Sequence, residues 1–168
     1  PTNTRDGSSA ASDVYKRQIK SGSMAFIPPQ SIENNSWPQS HGTPNTRVLH
    51  PSLDGALTLQ WSTSIGKGDQ SRNRITAEPI VYNNQIFTVD SLMVLSATSK
   101  KGEILWQKDL TPDGENKGDV SGAGLAAGAG TIFVATAFGV IHAIDPASGQ
   151  SKWTQILLGS GCTRPTYY

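Results

Sequence analysis

The sequence predicts an all-β fold built from repeated units. Three tryptophans, Trp61, Trp106 and Trp153, lie 45 and 47 residues apart, and each closes a similar short phrase. Between them, short apolar runs alternate with turns rich in Gly, Asn and Ser. Repeats of ~40 to 50 residues with this composition are typical of β-propeller blades. We therefore expect about two to three four-stranded antiparallel blades of a larger ring.

The composition excludes some classes of function. The 14 Lys and Arg residues balance 13 Asp and Glu residues, which gives a net charge of +1, and the basic residues are scattered. Nucleic-acid binding needs a clustered excess of basic side chains, so we predict no nucleic-acid partner. The single cysteine, Cys162, excludes an internal disulfide and a CxxC metal or redox motif.

The sequence contains no targeting or membrane-spanning segment. No run approaches the ~18 apolar residues of a transmembrane helix, and the amino terminus lacks a signal peptide. Because the chain starts at Pro1 and stops at Tyr168 within a repeat, we expect it to be part of a longer protein. About two and a half blades leave open sheet edges, so we expect the isolated chain to be marginally stable or prone to aggregation.

We assign the repeats to residues 54–168. Two polar segments precede them. Residues 1–22 are aperiodic and are predicted to be disordered. Because residues 12–18 resemble translated sequencing adapter, this leader is either an artefact or a flexible tether. Residues 23–53 are rich in Pro, Ser and Asn and predict an extended linker, with Trp37 as the candidate anchor of a ring-closing strand.

Each complete unit is predicted to contain four strands joined by tight turns. In the first unit, Asn83 and Asn84 fit a two-residue hairpin turn because both tolerate a positive φ. The predicted strands of the first unit span 78–82, 85–89, 92–97 and 104–110. Those of the second unit span 124–127, 131–135, 140–144 and 151–157. A further blade is expected to begin near Arg164.

The two units differ in length by one residue. Phe87 and Phe133 are 46 residues apart, whereas Gly102 and Gly149 are 47 residues apart. This difference predicts a single insertion, which we place in the turn near Gly139. Loop insertions that preserve the strands are tolerated in stacked repeats.

The repeated tryptophans are predicted to be structural. Burying about 150 to 250 Å² of indole at ~25 cal/mol per Å² gives an upper bound on the order of 4 to 6 kcal/mol, which is enough to hold one blade against the next. The alternative is an aromatic floor for a flat ligand. The residues assigned to the structural repeat are Trp61, Trp106, Trp153, Gly102, Gly149 and Asp145.

The phrase that ends each unit resembles a known blade motif. Residues 96–106 and 143–153 are similar to the A-x-D-x-x-T-G-x-x-x-W motif of pyrroloquinoline-quinone-like (PQQ-like) propellers. Aligned on this motif, the first unit has Thr98 where the second has Asp145. Within the superfamily, the chain most resembles the BamB-type outer-membrane assembly lipoproteins. That narrower resemblance rests on three linked stretches, 37–42, 61–79 and 124–139.

The resemblance implies a scaffold with no catalytic, cofactor-binding or metal-binding residue. BamB-type proteins are rings of about eight blades that face the periplasm from the outer membrane of Gram-negative bacteria. The implied partners are BamA and other subunits of the β-barrel assembly machinery, bound through strand edges or loops that the sequence does not identify. The only implied membrane contact is a lipid anchor upstream of Pro1, because Cys162 follows no apolar signal segment.

Two other classes stay open, a PQQ-dependent dehydrogenase and a generic PQQ-like interaction protein. The dehydrogenases need calcium, and the acidic loop 109–119 has oxygen ligands, but its spacing misses the EF-hand pattern and Lys117 opposes a cation. His41 and His50 lie in the aperiodic linker, and His142 is predicted to be a satisfied structural histidine on a strand. The glycines of 122–130 fit hairpin turns better than a dinucleotide-binding fingerprint, and no G-x-S-x-G nucleophile motif occurs.

Overall fold

The computed structural model describes residues 27–45, 50–53, 55–159 and 164–168. The chain divides into two units, Pro1–Gln30 and Ser31–Tyr168. In the first unit, the described residues 27–30 are exposed and lack regular secondary structure. The second unit contains eight strands in its described part: β1 (Ile80–Tyr82), β2 (Gln85–Val89), β3 (Val94–Ser99), β4 (Ile104–Asp109), β5 (Ala123–Gly128), β6 (Thr131–Thr136), β7 (Val140–Ile144) and β8 (Ser151–Ile156).

The strands form two separate antiparallel sheets. The first sheet has the order β1-β2-β3-β4 and the second has the order β5-β6-β7-β8. Each sheet is a meander in which every strand pairs with its neighbour in sequence. The predicted all-β class and the predicted four-stranded antiparallel units are confirmed. No helix among the described residues has the length and apolar character needed to cross a bilayer.

The hairpin formed by the first two strands of each sheet turns through two residues with positive φ. Asn83 and Asn84 have φ angles of 50° and 60°, and they join β1 to β2. Ala129 and Gly130, with φ angles of 44° and 69°, join β5 to β6. A turn of this hand matches the right-handed twist of the flanking strands, so the Asn-Asn pair is the residue choice that a two-residue hairpin favours.

The last strand of each sheet carries a bulge that places its tryptophan. In the first sheet, Ala97 pairs with Trp106 and Thr98 pairs with Ile104, so Leu105 is the extra residue. In the second sheet, Ala143 pairs with Trp153 and Ile144 pairs with Ser151. An extra residue in one strand bends that strand and re-aims its side chains. The same bulge therefore sets each indole opposite a small alanine.

The register corrects the predicted position of the insertion. Ala97 and Ala143 occupy equivalent places and are still 46 residues apart, so no residue is inserted near Gly139. The extra residue lies in the last turn. Ser99 donates its N–H to the carbonyl of Glu103, four residues on, whereas Asp145 donates to Gln150, five residues on.

The same register corrects the motif alignment. Thr98 is equivalent to Ile144. Each of these residues pairs with the last strand just beyond the bulge and is the last paired residue before the turn. Ser99 therefore occupies the place of Asp145. Its Oγ accepts hydrogen bonds from the backbone N–H groups of Lys101 and Glu103, so a serine performs the turn-capping task there.

The hydrophobic core lies between the two sheets. The first sheet contributes buried side chains such as Phe87 and Leu95, and the second contributes Ile132, Val134 and Ile144. The first strands, β1 and β5, lie beside each other. Full burial of one such side chain contributes roughly 1.5 to 3 kcal/mol, so this core stabilises the packing of one sheet on the other.

Candidate functional site

The indole of Trp106 links the two sheets. It projects from β4, and its Nε1 donates a hydrogen bond of 3.0 Å to the carbonyl of Pro146 in the last turn of the second sheet. A Cβ atom added to Gly149 would lie 2.7 Å from Cε3 of the indole. Phe87 packs against the other side, with ring centroids 5.9 Å apart. We call this combination of a turn carbonyl and a turn glycine a tryptophan seat.

Trp61 occupies the equivalent seat on the first sheet. Its Nε1 donates a hydrogen bond of 2.7 Å to the carbonyl of Lys100. A Cβ atom added to Gly102 would lie 2.7 Å from Cε3 of Trp61. Gly102 and Gly149 have φ angles of 87° and 72°, in the left-handed region that favours glycine. A side chain at either glycine would therefore be disfavoured twice, by the positive φ of the backbone and by a clash of its Cβ with the indole.

Trp153 stands apart from the other two. It packs against Phe133 with ring centroids 6.0 Å apart, which repeats the Trp106–Phe87 geometry. No seat covers it within the described residues, and it is 49% exposed. Tyr167 stacks on the same phenyl ring at 5.8 Å. An apolar hollow beside these rings is lined by Ala126, Phe133, Ile141, Trp153, Pro165, Thr166 and Tyr167.

Asp145 shapes the turn that contains the seat of Trp106. Its Oδ1 accepts hydrogen bonds from the N–H groups of Ala147 and Ser148 and from the Ser148 hydroxyl. The bond from the Ser148 backbone and the bond from its hydroxyl lower the pKa of Asp145. Gly149 then donates its N–H to the Asp145 carbonyl and closes the turn. The structure thus brings together Trp106, Gly149 and Asp145, and separately brings Trp61 to Gly102.

Asp90 is an anchor that the sequence reasoning missed. It is 5% exposed and follows β2. Its carboxylate accepts N–H bonds from Leu92 and Val94 in its own turn and from Lys67 in the preceding segment, at 2.8 to 2.9 Å. Gly66 lies so close that an added Cβ would meet the carboxylate. The available signal was an acidic residue at the end of an apolar strand, which is unusual unless backbone donors surround it.

His142 is buried on β7, but it is not the satisfied histidine that the sequence predicts. Its side chain is 8% exposed, and Nε2 has no hydrogen-bond partner. Burial, and then the positive charge of Lys108 on β4, lower its pKa below the ordinary value. The neutral imidazole is therefore the form that fits between the two sheets.

Two of the four carboxylates in the acidic loop, Asp109 and Asp119, are bonded within the loop. Asp109 pairs with Lys117 at 2.6 Å and also accepts the N–H of Thr111. Burial raises the pKa of Asp109, but the bonds from Lys117 and Thr111 outweigh it and the net shift is downward. Asp119 accepts bonds from Asn116. Within the described ranges, no three His, Cys, Asp or Glu residues are grouped as metal ligands would be.

The comparisons with known proteins agree with the repeat geometry. Residues 90–168 match the PQQ-type repeat family described as outer membrane protein assembly factor BamB. An outer membrane protein assembly factor BamB from Shewanella oneidensis is 29% identical over 116 residues, which are 64% of this chain and 29% of that protein. The BamB of Yersinia pestis is 25% identical over 64% of this chain and 28% of its own length.

The chain is thus similar to the PQQ-type repeats of BamB proteins. It spans less than a third of the length of either BamB relative. Quinohemoprotein alcohol dehydrogenase ADH-IIG of Pseudomonas putida is also similar, at 30% identity over 60% of this chain and 14% of the enzyme. The solved quinohemoprotein alcohol dehydrogenase of Comamonas testosteroni has a TM-score of 0.53 and 24% identity, over 72% of this chain and 19% of that one. That structural likeness shows a shared propeller-type fold.

Proposed function

We propose that this BamB-like chain is part of a non-catalytic scaffold of the outer-membrane β-barrel assembly machinery, with BamA as its partner. The observation that carries the proposal is the match of residues 90–168 to the BamB family. Two BamB relatives that each align with 64% of the chain support it. The periplasmic face of the outer membrane and a lipid anchor upstream of Pro1 belong to the same proposal.

The outer strands offer the chemistry that a scaffold needs. Among the described residues, β4 and β8 each pair with a strand on one side only, so the backbone groups of the other side are available to a partner. Ile104 and Leu105 on β4 are 44% and 46% exposed, and Ile156 on β8 is 76% exposed. An exposed edge strand with apolar side chains can accept an extended strand of a partner protein.

The stacking face of Trp153 completes the proposal. We propose that this face packs against a further blade that begins near Arg164. The filled seats of Trp61 and Trp106 support this, because both show what covers a repeat tryptophan: the last turn of the next sheet, with its carbonyl and its left-handed glycine.

Binding to the purified periplasmic domains of BamA tests the scaffold role. We expect Ile156→Lys to weaken binding to the immobilised chain about tenfold or more, because it places a charge beside the β8 edge. Leu53→Lys is the matched control, since Leu53 is 70% exposed and lies outside both sheets. Absence of binding by the unmodified chain, or equal loss in both variants, would contradict the proposal.

A PQQ-dependent dehydrogenase is the second candidate, and the 30% identity to the P. putida enzyme is the observation that favours it. The acidic loop is a poor match for a calcium-dependent PQQ site, because two of its four carboxylates, Asp109 and Asp119, are already paired with Lys117, Thr111 and Asn116, and no group of three possible metal ligands occurs among the described residues. Calorimetry with PQQ and calcium together separates the two classes. Micromolar binding of both would favour the enzyme and count against the scaffold.

A further inference from the structure

The segment Trp37-Pro38-Gln39, which we call the strap, pairs with β1 and β5 on the edge that faces away from the other strands of each sheet. Trp37 exchanges two backbone hydrogen bonds of 2.8 Å with Val81 of β1, in an antiparallel bridge. The carbonyl of Pro38 accepts the N–H of Ala127 on β5 at 2.6 Å. Gln39 forms an antiparallel bridge with Ala126. Three residues thus pair first with the β1 edge of one sheet and then with the β5 edge of the next.

The strap has a sequence suited to this path. Proline fixes its own φ and favours an extended conformation in the residue before it, so Trp37 and Pro38 are pre-organised as an edge strand. Pro38 lacks an N–H and here contributes only its carbonyl, which avoids an unpaired donor. After the strap, Gly42 donates its N–H to the Gln39 carbonyl and packs under the Trp37 ring. This turn ends the extended segment.

The side chain of Gln39, the last residue of the strap, reaches the segment that follows β8. Gln39 is 4% exposed, and its Oε1 accepts the N–H of Tyr167 at 3.0 Å. Next to it, Ser40 donates to Glu78 just before β1 and accepts a bond from Arg164. Arg164 and Glu78 form an ion pair of 2.7 Å. Polar contacts from the strap therefore meet the start of the first repeat and the segment in which the third is expected to begin.

We propose that the β1 and β5 edges, which no strand of their own sheets pairs, form a binding groove for an extended, proline-containing peptide, and that the strap fills this groove in cis. Recognition is by backbone pairing to Val81 and Ala127, and a buried amide after the proline gives specificity through Tyr167. Tethering in the same chain gives the strap an effective concentration in the millimolar range, so it excludes free peptides of micromolar affinity. The groove is independent of the scaffold role, and either can fail without the other.

Replacing residues 37–39 by three glycines in the full chain tests the groove directly. We expect the amides of Val81 and Ala127 to exchange with solvent about tenfold or more faster, because their edge pairing is lost. A labelled peptide of residues 31–45 should then bind the variant at least about tenfold more tightly than the unmodified chain and restore the protection. The matched control places three glycines at the exposed residues 57–59 and should change neither result.

The outcomes that overturn the proposal are equally specific. Unchanged exchange at Val81 and Ala127, or a peptide that binds neither chain, would remove the groove. If the glycine variant loses its strand signal in circular dichroism, Gln39→Leu replaces it, because that change keeps the backbone pairing. The Tyr167 amide should then exchange about fivefold or more faster, whereas Gln155→Leu, whose side chain bonds only the adjacent carbonyl, should have no effect. Equal Tyr167 exchange in these two variants would overturn the proposal.

Discussion

Replacing Trp106 by alanine removes one of the contacts that join the two sheets. The indole packs against Phe87 and Gly149 and donates one hydrogen bond. Full burial sets an upper bound on the order of 4 to 6 kcal/mol, and partial exposure of the ring reduces it. The lost hydrogen bond adds about 0.5 to 1.5 kcal/mol. We expect Trp106→Ala to lower the free energy of unfolding by about 3 to 5 kcal/mol in urea denaturation.

Trp153→Ala is the matched control for this measurement. Trp153 keeps the contact with a phenylalanine but has no seat among the described residues and is 49% exposed. We therefore expect a loss of about 1 to 2 kcal/mol, because about half of the side chain is already exposed and no seat hydrogen bond is lost. Equal losses at the two positions would refute the reasoning, because the effect would then come from packing within a sheet rather than from the seat.

Three further predictions concern single residues. Gly149→Ala places a Cβ 2.7 Å from an indole carbon and should lower the free energy of unfolding by about 2 to 4 kcal/mol. Gly130→Ala, also at positive φ but with open space around it, is the control and should lower it by about 1 kcal/mol in the same denaturation assay. Burial holds the pKa of His142 below its unfolded value, so the unfolded chain binds a proton more readily than the folded chain. The contribution of His142 to the free energy of unfolding is therefore fully present above about pH 6.5 and is lost as the pH falls below that value. A pH series of melting temperatures should show this fall, and His142→Gln should flatten it. Asp90→Ala leaves three backbone N–H groups without their acceptor and should cost about 2 to 4 kcal/mol, while exposed Asp113→Ala should leave the melting temperature unchanged.

The strand order and the hairpins could be predicted from the sequence because local chemistry determines them. Asn83 and Asn84 accept the positive φ of a two-residue turn, and the short apolar runs on either side form strands of three and five residues. Gly102 and Gly149 mark the last turns for the same reason. The spacing of the tryptophans then reports the length of one whole unit, since each sheet repeats the same order of turns.

The interactions between distant segments could not be predicted in the same way. The insertion was misplaced because the sequence shows only a total length difference, whereas strand pairing shows that Ala97 and Ala143 are still in register. Asp90 was missed because its role depends on Lys67, which is 23 residues away in sequence. The edge pairing of Trp37 followed the general expectation for an extended linker, but its partner Val81 is set by tertiary packing.

The central claim is that Trp61 and Trp106 are each held by the last turn of the next sheet, and exchange of the indole N–H protons tests it most directly. Heteronuclear NMR of the full chain in deuterated buffer resolves one indole signal for each tryptophan. The Nε1 protons of Trp61 and Trp106 should exchange slowly, because they are bonded to Lys100 and Pro146, and that of Trp153 should exchange about tenfold or more faster. Equal exchange rates for all three indoles would contradict the claim.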